Sequence, residues 1–270
     1  IVHNECGFND DEAFRFKRRR VLARRILLRR VYRTVLVSSR LRELAARVFK
    51  LPEARLRLIR TGVDTARFRP APNPELRARL GVAPGGVLFA YVGGLRPEKN
   101  LGLLLRSFAA ARLEGARLAL VGGGPLRGEL EELAAALGIL PAVTFAGPVE
   151  DVVPYLNAAD VFLLSSNTEQ TSNALLEAMA SGLPVAATAV GDNSEVLGPR
   201  QAEWVTPPGE LDPFRRAIQR LGADDALRRE LGAANRRRCQ SLYSFEAMVK
   251  AYAALYREAL GGPLRSRLNP

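Results

Sequence analysis

The length, composition and charge of this sequence exclude several classes of protein. Its 270 residues include 47% hydrophobic side chains, enough for a sizeable core. No apolar run approaches the ~20 residues that a membrane-spanning helix needs, and the opening letters IVHNECG do not predict a secretory signal. Cys6 and Cys239 are the only cysteines, so we expect neither a disulfide framework nor a metal-ligand cluster, and a cytoplasmic setting is favoured.

The net charge of +12 belongs entirely to the first quarter of the chain. Residues 1–70 contain 19 Lys and Arg against 7 Asp and Glu, whereas residues 71–270 contain 21 of each. A solvated helix face would explain this excess. Alternatively, a basic helix at 14–33 contacts anionic lipid at the inner face of the cell membrane, where each basic residue contributes ~1 kcal/mol. Nucleic acid is not expected as a partner, because no recognition motif accompanies the charge.

The first 66 residues predict short strands and helices. Residues 1–3 are typical of a strand end, and 34–37 and 55–59 of buried strands, with a helix over 40–49 capped by its preceding serines. Three prolines in FRPAPNP (68–74) predict a linker and a domain boundary. Residues 11–33 have a helical composition. The apolar stripe predicted for that helix consists of Val21, Leu22, Ile26, Leu28, Val31 and Tyr32.

Beyond the linker, apolar runs alternate with helical patterns. The predicted strands are 87–92, 117–121, 143–145, 161–164, 184–188 and 202–205. The predicted helices lie near 100–112, 126–137, 151–158, 172–181 and 211–222, followed by closing helices at 224–239 and 245–260. This alternation predicts an α/β domain with a doubly wound parallel sheet. Ligands of such sheets bind beyond the carboxyl ends of the strands.

The loop GGLRPEKN (93–100) follows the first of these strands and combines glycine with two cations. Gly94 allows close backbone approach, and Arg96 and Lys99 are suited to a diphosphate. The alternative is an exposed loop with ordinary charges.

The loop GGGP (122–125) does not carry a dinucleotide fingerprint. A GxGxxG motif starting at Gly122 would need glycine at 127, where the sequence has Arg127. Gly122 and Gly124 are therefore predicted to allow a tight turn from strand to helix beside a ligand.

The stretch SSNTEQTSN (165–173) has the most specific pattern. A helix beginning near Thr171 and Ser172 leaves backbone N–H groups unpaired and available to an anion. Glu169 precedes this helix and Glu177 lies about two turns inside it; in the alternative interpretation they are a first-turn acid and a surface residue. A glycosidase pair is not favoured, because eight residues along a helix rise ~12 Å and retaining hydrolases need ~5 Å.

These motifs together resemble a known family. From His3 to about Tyr256 the sequence is similar to the family-4 retaining glycosyltransferases, whose GT-B fold has two Rossmann-like domains facing across a cleft. The strongest match is the E-x7-E signature, formed by Glu169 and Glu177 within TEQTSNALLEAMASGLPVAATAVGDNSEVL. Supporting matches are VGGLRPEKN, LVGGGP, VTFAGPVEDVVPYLNAADVFLLSS and LIRTGVDTARFRP.

The resemblance implies a role for each matching position. Lys99 matches the lysine that binds the donor diphosphate, Glu177 the acid that binds the nucleotide ribose, and Glu169 the acid beside the transferred sugar. His3, the only histidine, matches a cleft histidine close to that sugar. The remaining positions match a loop whose backbone contacts sugar and phosphate and a segment that holds the base: Gln170, Thr171, Ser172, Asn173, Pro148 and Val149.

The sequence departs from the family pattern at three places. Gly94 occupies the position of a usual arginine, so that either Arg96 substitutes for it or diphosphate binding is weaker. Thr61 replaces the asparagine of an NGVD hinge motif. Several elements that precede the histidine in the family have no counterpart here. We therefore expect a partial N-terminal domain (1–66), a complete nucleotide-sugar-binding domain (67–242), and a crossover helix with tail (243–270).

The resemblance implies a retaining glycosyltransferase that uses a nucleoside diphosphate sugar, with UDP expected rather than GDP. The acceptor would be a saccharide or a lipid-linked molecule of envelope or exopolysaccharide synthesis. No metal ion or other cofactor is expected. The alternative is a nucleotide-sugar-binding or membrane-associated fragment without turnover, because the acceptor domain is incomplete.

Overall fold

The computed structural model describes residues 1–5 and 18–261, which form two compact units. Residues 1–62 and those from Leu242 onward make the first, and Val63–Ser241 makes the second. The division after Gly62 falls four residues before the predicted boundary at 66, and the predicted C-terminal piece groups with the first unit. The start of the predicted helix at 11–33 lies outside the described residues.

The helices and strands are numbered in chain order. The strands are β1 Val2–Glu5, β2 Arg33–Leu36, β3 Leu56–Leu58, β4 Leu88–Val92, β5 Arg117–Val121, β6 Val143–Gly147, β7 Val161–Leu164, β8 Val185–Thr188 and β9 Val205–Thr206. The helices are α1 Arg18–Leu27, α2 Ser39–Arg47, α3 Pro74–Arg79, α4 Leu101–Ala111, α5 Arg127–Ala136, α6 Val153–Ala158, α7 Asn173–Ala180, α8 Asn193–Leu197, α9 Leu211–Ala223, α10 Asp225–Leu242 and α11 Phe245–Ala259. No helix within the described ranges is both long and apolar enough to cross a bilayer.

The first unit is a three-stranded parallel sheet in the order β1-β2-β3 with helices on both faces. Successive side chains of a strand point to opposite faces, and Val35 and Leu36 of β2 divide the core accordingly. Leu36 packs with α2 and with residues around Phe49, whereas Val35 packs with Leu255 of α11. The predicted cap of α2 is confirmed, because Ser38 Oγ accepts a hydrogen bond from the Leu41 amide at 3.0 Å.

The apolar stripe predicted for residues 21–32 is only partly correct. Leu28 is buried and Val21 packs against the core, but Leu22 and Ile26 are 57% and 49% exposed. The α-helix ends at Leu27 and continues as a short 3-10 turn, so the six apolar residues do not share one helical face.

Arginines occupy part of the inward side of α1. Arg25 donates two hydrogen bonds to the carbonyl oxygen of Val48, at 3.0 and 2.9 Å, just beyond the carboxyl end of α2. The guanidinium of Arg24 lies over the ring of Phe49, 5.3 Å from its centroid. These two positive charges therefore contribute to packing within the first unit.

The second unit is a six-stranded sheet in the order β6-β5-β4-β7-β8-β9, with every pair of neighbouring strands parallel. All residues of β4, β7 and β8 are buried, as expected for strands covered on both faces. The order of the strands reverses between β4 and β7, and doubly wound sheets bind ligands in the crevice at such a point. The predicted fold class is thus confirmed, and β4 and β7 locate the expected site.

Three segments of the second unit differ from prediction. The proline-rich linker ends in helix α3, because Asn73 Oδ1 accepts a hydrogen bond from the Leu76 amide at 3.0 Å and Pro74 is suited to the first helical position. The predicted strand at 202–205 is mostly a 3-10 helix, Pro199–Trp204, which leaves only two residues for β9. Helix α8 was not predicted, since it has only five residues.

Candidate functional site

An ion pair joins the loops that follow β4 and β7 at the point where the sheet order reverses. Lys99 Nζ lies 2.6 Å from Glu169 Oε1, and the two side chains are only 22% and 10% exposed. The residues are 70 positions apart in sequence. The structure therefore brings together two of the predicted site residues, the proposed diphosphate lysine and the proposed sugar-binding acid.

Two buried serines at the start of the β7 loop support this ion pair. Ser166 Oγ donates to the same carboxylate oxygen of Glu169 at 2.7 Å, and Ser165 Oγ donates to the main-chain oxygen of Lys99 at 2.9 Å. Both serines are fully buried. Thr188 Oγ1, at the end of β8, in turn donates to the main-chain oxygen of Ser166 at 2.6 Å. The carboxylate and the lysine backbone are consequently fixed to the sheet.

Two asparagines connect the same loops beside the ion pair. Asn100 Nδ2 donates to Asn167 Oδ1 at 2.9 Å, and the Asn167 amide donates to the Glu98 carbonyl at 2.8 Å. Asn100 has left-handed backbone angles and also caps α4 by accepting from the Leu103 amide. It therefore ends the lysine-bearing turn and begins the next helix.

Glycines allow the loops after β4 and β5 to approach each other closely. Gly93 donates to the Val121 carbonyl and Leu95 to the Gly123 carbonyl, each at 2.9 Å. A Cβ at Gly122 would overlap the carbonyl oxygen of Gly93, and one at Gly124 would overlap that of Leu95. Gly122 and Gly124 thus make room for the neighbouring loop, which agrees with the predicted tight turn.

Arg96 and Gly94 lie side by side in the β4 loop. A Cβ at Gly94 would be 3.3 Å from the Nε atom of Arg96, and Arg96 is exposed. The arginine side chain therefore lies over the position at which the family pattern places its own arginine.

Helix α7 follows the loop after β7 and begins four residues after Glu169. Ser172 is its N-cap and accepts from the Leu175 amide, and Asn173 is the first helical residue. Gln170 and Thr171 complete the connection from Glu169. The first amides of a helix have no main-chain partner within it. The Leu175 amide is bonded to the Ser172 side chain, which leaves the amides of Asn173 and Ala174 for an anion.

The loop after β8 contacts the backbone that connects Glu169 to α7. The Asp192 amide donates to the Gln170 carbonyl at 3.0 Å. Gly191 has φ +53, and a Cβ there would overlap the Gln170 carbonyl oxygen. The backbone of residues 169–170 is thereby held against the loop after β8.

Glu177 lies in α7 and is half-buried. Burial raises the pKa of this carboxyl, and the positive charge of Arg67 opposes the shift. Arg67 also forms an ion pair with Asp151 at 3.0 Å, with both side chains about half exposed. Pro148 and Val149, the predicted base-binding residues, directly follow β6 and precede Asp151. Arg67 therefore binds Asp151 in the loop after β6, and its charge also lowers the pKa of Glu177, the predicted ribose-binding acid.

His3 belongs to the first unit. It lies in β1 beside Thr34 in the parallel register with β2 and is partly buried. Glu169 belongs to the second unit. A joint catalytic role for His3 and Glu169 stays a prediction.

Several supporting residues were not identified from the sequence. They contact the backbone, one another, the Lys99–Glu169 pair or, in the case of Arg67, the carboxylate of Asp151. These residues are Arg67, Asn100, Ser165, Ser166, Asn167, Thr188 and Gly191. A usable signal existed for the serines, because two hydroxyl residues directly follow an apolar strand that ends at the predicted ligand crevice. Among the described residues, no group of three or more His, Cys, Asp or Glu could hold a metal ion.

Comparison with known proteins agrees with this architecture. The family model "Glycosyl transferases group 1" matches residues 86–224, which contain the Lys99–Glu169 pair and α7. The chain is 33% identical over 222 residues to D-inositol 3-phosphate glycosyltransferase of Saccharomonospora viridis, which covers 77% of this chain and 51% of that protein. It is 33% identical over 179 residues to the lipopolysaccharide core biosynthesis glycosyltransferase LpsE of Rhizobium meliloti, covering 66% and 52%.

A solved structure with the same fold is that of Anabaena Alr3699/HepE in complex with UDP-glucose. It has a TM-score of 0.83 and 20% identity, and the match covers 94% of this chain and 71% of that one. The chain spans about half the length of the curated relatives it matches. The family match, the strand order and the loops at the carboxyl edge agree, and the chain belongs to the glycosyl transferases group 1 family.

Proposed function

We propose that this protein transfers a sugar from a UDP-sugar, with retention of anomeric configuration, to a saccharide or lipid-linked acceptor of envelope or exopolysaccharide synthesis. The observation that carries the proposal is the 2.6 Å contact between Lys99 and Glu169 beside the N-terminus of α7. A cation and an acid meet there at the carboxyl edge of the sheet, four residues before α7 begins, and doubly wound folds bind nucleotides at this edge.

Each part of the donor has a suitable group in the second unit. Lys99, Arg96 and the first amides of α7 are suited to the diphosphate. Glu177 is suited to the ribose hydroxyls, and the main chain of Pro148 and Val149 to the base. Glu169 would accept hydrogen bonds from the transferred sugar.

The proposed reaction is a front-face displacement. The acceptor hydroxyl attacks the anomeric carbon from the side on which the diphosphate leaves, through an oxocarbenium-like state. A new C–O bond forms as the bond to the diphosphate breaks, and the hydroxyl proton passes to the leaving diphosphate. Lys99, Arg96 and the α7 amides stabilise the charge that develops on the leaving group, and such preorganised groups contribute most to catalysis of this kind. The catalytic role that the resemblance implies for His3 is part of this proposal.

The identities of donor and acceptor rest on relatives. The structural neighbour HepE was crystallised with UDP-glucose, and the relative LpsE is named for lipopolysaccharide core biosynthesis. These names favour UDP and a saccharide or lipid-linked acceptor.

Calorimetry combined with a transfer assay tests the proposal. We expect UDP to bind and GDP to bind more weakly, and we expect a product whose anomeric proton keeps the donor's coupling constant by NMR. Binding of UDP without transfer or donor hydrolysis would favour the second candidate, a nucleotide-sugar-binding protein without turnover. The observation that favours this candidate is Gly94, which occupies the position of the family's usual arginine.

We also propose that α1 binds anionic lipid at the inner face of the cell membrane. Leu22, Ile26 and Leu27 are 49–58% exposed, and Arg18 and Arg19 are exposed on the same helix. Replacing Arg18 and Arg19 with Gln should reduce binding to phosphatidylglycerol vesicles, since each cation near the surface contributes ~1 kcal/mol. Arg24 and Arg25 are unsuitable for this test because they pack against Phe49 and Val48. Unchanged vesicle binding would contradict the proposal.

A further inference from the structure

The oxygen atom of Glu169 that contacts Lys99 has two partners. Lys99 Nζ lies 2.6 Å away, and Ser166 Oγ lies 2.7 Å away. We propose that the donor's diphosphate displaces Glu169 from Lys99, and that Ser166 is the positioning residue that holds the released carboxylate. This inference rests on the proposed function and adds to it the way in which Lys99 is prepared for the donor.

The electrostatics of the site favour an exchange over simple addition of the donor. A charge that is removed from water needs a partner, and Lys99 and Glu169 supply one to each other. The diphosphate brings negative charge to the same lysine, where it competes with the carboxylate and is repelled by it. When Lys99 turns to the diphosphate, the carboxylate becomes available to the hydroxyls of the donor sugar.

The surroundings restrict the exchange to the lysine side chain. The main chain at Lys99 is held by Ser165, whose hydroxyl donates to the Lys99 carbonyl. Ser166 is fully buried, and its own carbonyl accepts from Thr188. Ser166 therefore stays in place when Lys99 leaves, and its hydroxyl continues to satisfy Glu169.

The exchange predicts that the charge of Glu169 weakens the binding of UDP. Glu169→Gln removes the competing charge and keeps the side-chain shape, so it should tighten UDP binding by about 3- to 10-fold. The gain requires the lysine, and it should vanish when Glu169→Gln is combined with Lys99→Met. Calorimetry with UDP on the wild type, the two single variants and the double variant gives a double-mutant cycle for Glu169 and Lys99.

Ser166 is tested with the same probe. Without its hydroxyl the released carboxylate would be a buried charge with no partner, so Ser166→Ala should weaken UDP binding, again by about 3- to 10-fold. In the Glu169→Gln background the same change should have little effect. Ser165→Ala is the matched control, because any loss it causes acts through the Lys99 backbone and should persist in the Glu169→Gln background.

The outcomes separate the exchange from the proposed function. The exchange is wrong, and the proposed function stands, if the wild type binds UDP but Glu169→Gln does not raise the affinity for UDP. The same holds if Glu169→Gln raises that affinity equally in the Lys99→Met background. A loss in Ser166→Ala that persists in the Glu169→Gln background would overturn the role of Ser166. If neither the wild type nor Glu169→Gln binds UDP or GDP, both proposals fail. Thermal denaturation of each variant shows that the compared proteins are folded.

Discussion

Gly191 lies directly against the main chain of Glu169. A Cβ added at residue 191 would be 2.5 Å from the Glu169 carbonyl oxygen, and Gly191 has φ +53, a left-handed conformation. Both the conformation and the contact exclude a side chain. The position of the proposed sugar-binding acid thus depends on a glycine 22 residues later in the chain.

We expect Gly191→Ala to displace the loop that carries Glu169 and to weaken UDP binding by about tenfold or more, which is ~1.4 kcal/mol. The strained conformation alone costs about 1–2 kcal/mol of stability. Gly209 provides the matched control, because it has φ +81 and a Cβ there would meet nothing within 4 Å. Gly209→Ala should lower the melting temperature but leave UDP affinity unchanged. Equal UDP affinity in the two variants would contradict this role of Gly191.

The carboxylate of Glu177 should lower the stability of the fold while it contributes to UDP binding. Burial raises its pKa in the folded state, so the ionised carboxylate destabilises the fold at every pH above that value. Glu177→Gln should therefore raise the melting temperature at pH 7 by about 2 °C and weaken UDP binding. As pH falls through the raised pKa of Glu177, the wild type takes up a proton and regains stability. The difference in melting temperature between the wild type and Glu177→Gln therefore shrinks at acid pH. Melting curves from pH 4 to pH 8 test this, and a difference that grew at acid pH would contradict it.

Arg67 should control the pH at which UDP binding is lost. Its charge lowers the pKa of Glu177, so Arg67→Gln raises that pKa further, and protonation then weakens binding at a higher pH than in the wild type. Asp151→Asn is the control, since it removes the partner of Arg67 but keeps the positive charge. The Arg67–Asp151 pair is about half exposed, so either change should alter the free energy of unfolding by less than about 1 kcal/mol. Coincident pH profiles for Arg67→Gln and the wild type would refute this role.

Much of the second unit could be predicted because its signals are local. Apolar runs bounded by glycine and polar loops define β4, β5 and β7, and the serine cap and helical pattern define α7. The E-x7-E spacing of Glu169 and Glu177 places both acids near the beginning of that helix. Loops at the carboxyl ends of parallel strands share one edge, so the general location of the site follows from the same patterns.

The contacts within the site could not be predicted, because they depend on strand order. Lys99 and Glu169 meet only because β4 and β7 are neighbours, although β5 and β6 separate them in the chain. The hydroxyl of Ser166 contacts Glu169, and that of Thr188 contacts the main-chain oxygen of Ser166. A hydroxyl has no sequence pattern that reveals its partner. The arginines of α1 show the same limit, since Arg25 contacts the carbonyl of Val48 rather than solvent.

The most direct test of the donor site is the affinity for UDP of Lys99→Met, measured by calorimetry. Lys99 is largely buried beside Glu169, whereas Lys250 on α11 is exposed and belongs to the first unit, so Lys250→Met makes the same change in charge outside the unit that contains the proposed donor site. We predict that Lys99→Met weakens UDP binding at least about tenfold, or ~1.4 kcal/mol, while Lys250→Met binds UDP as the wild type does. Wild-type affinity in Lys99→Met would contradict the assignment of this crevice as the diphosphate site.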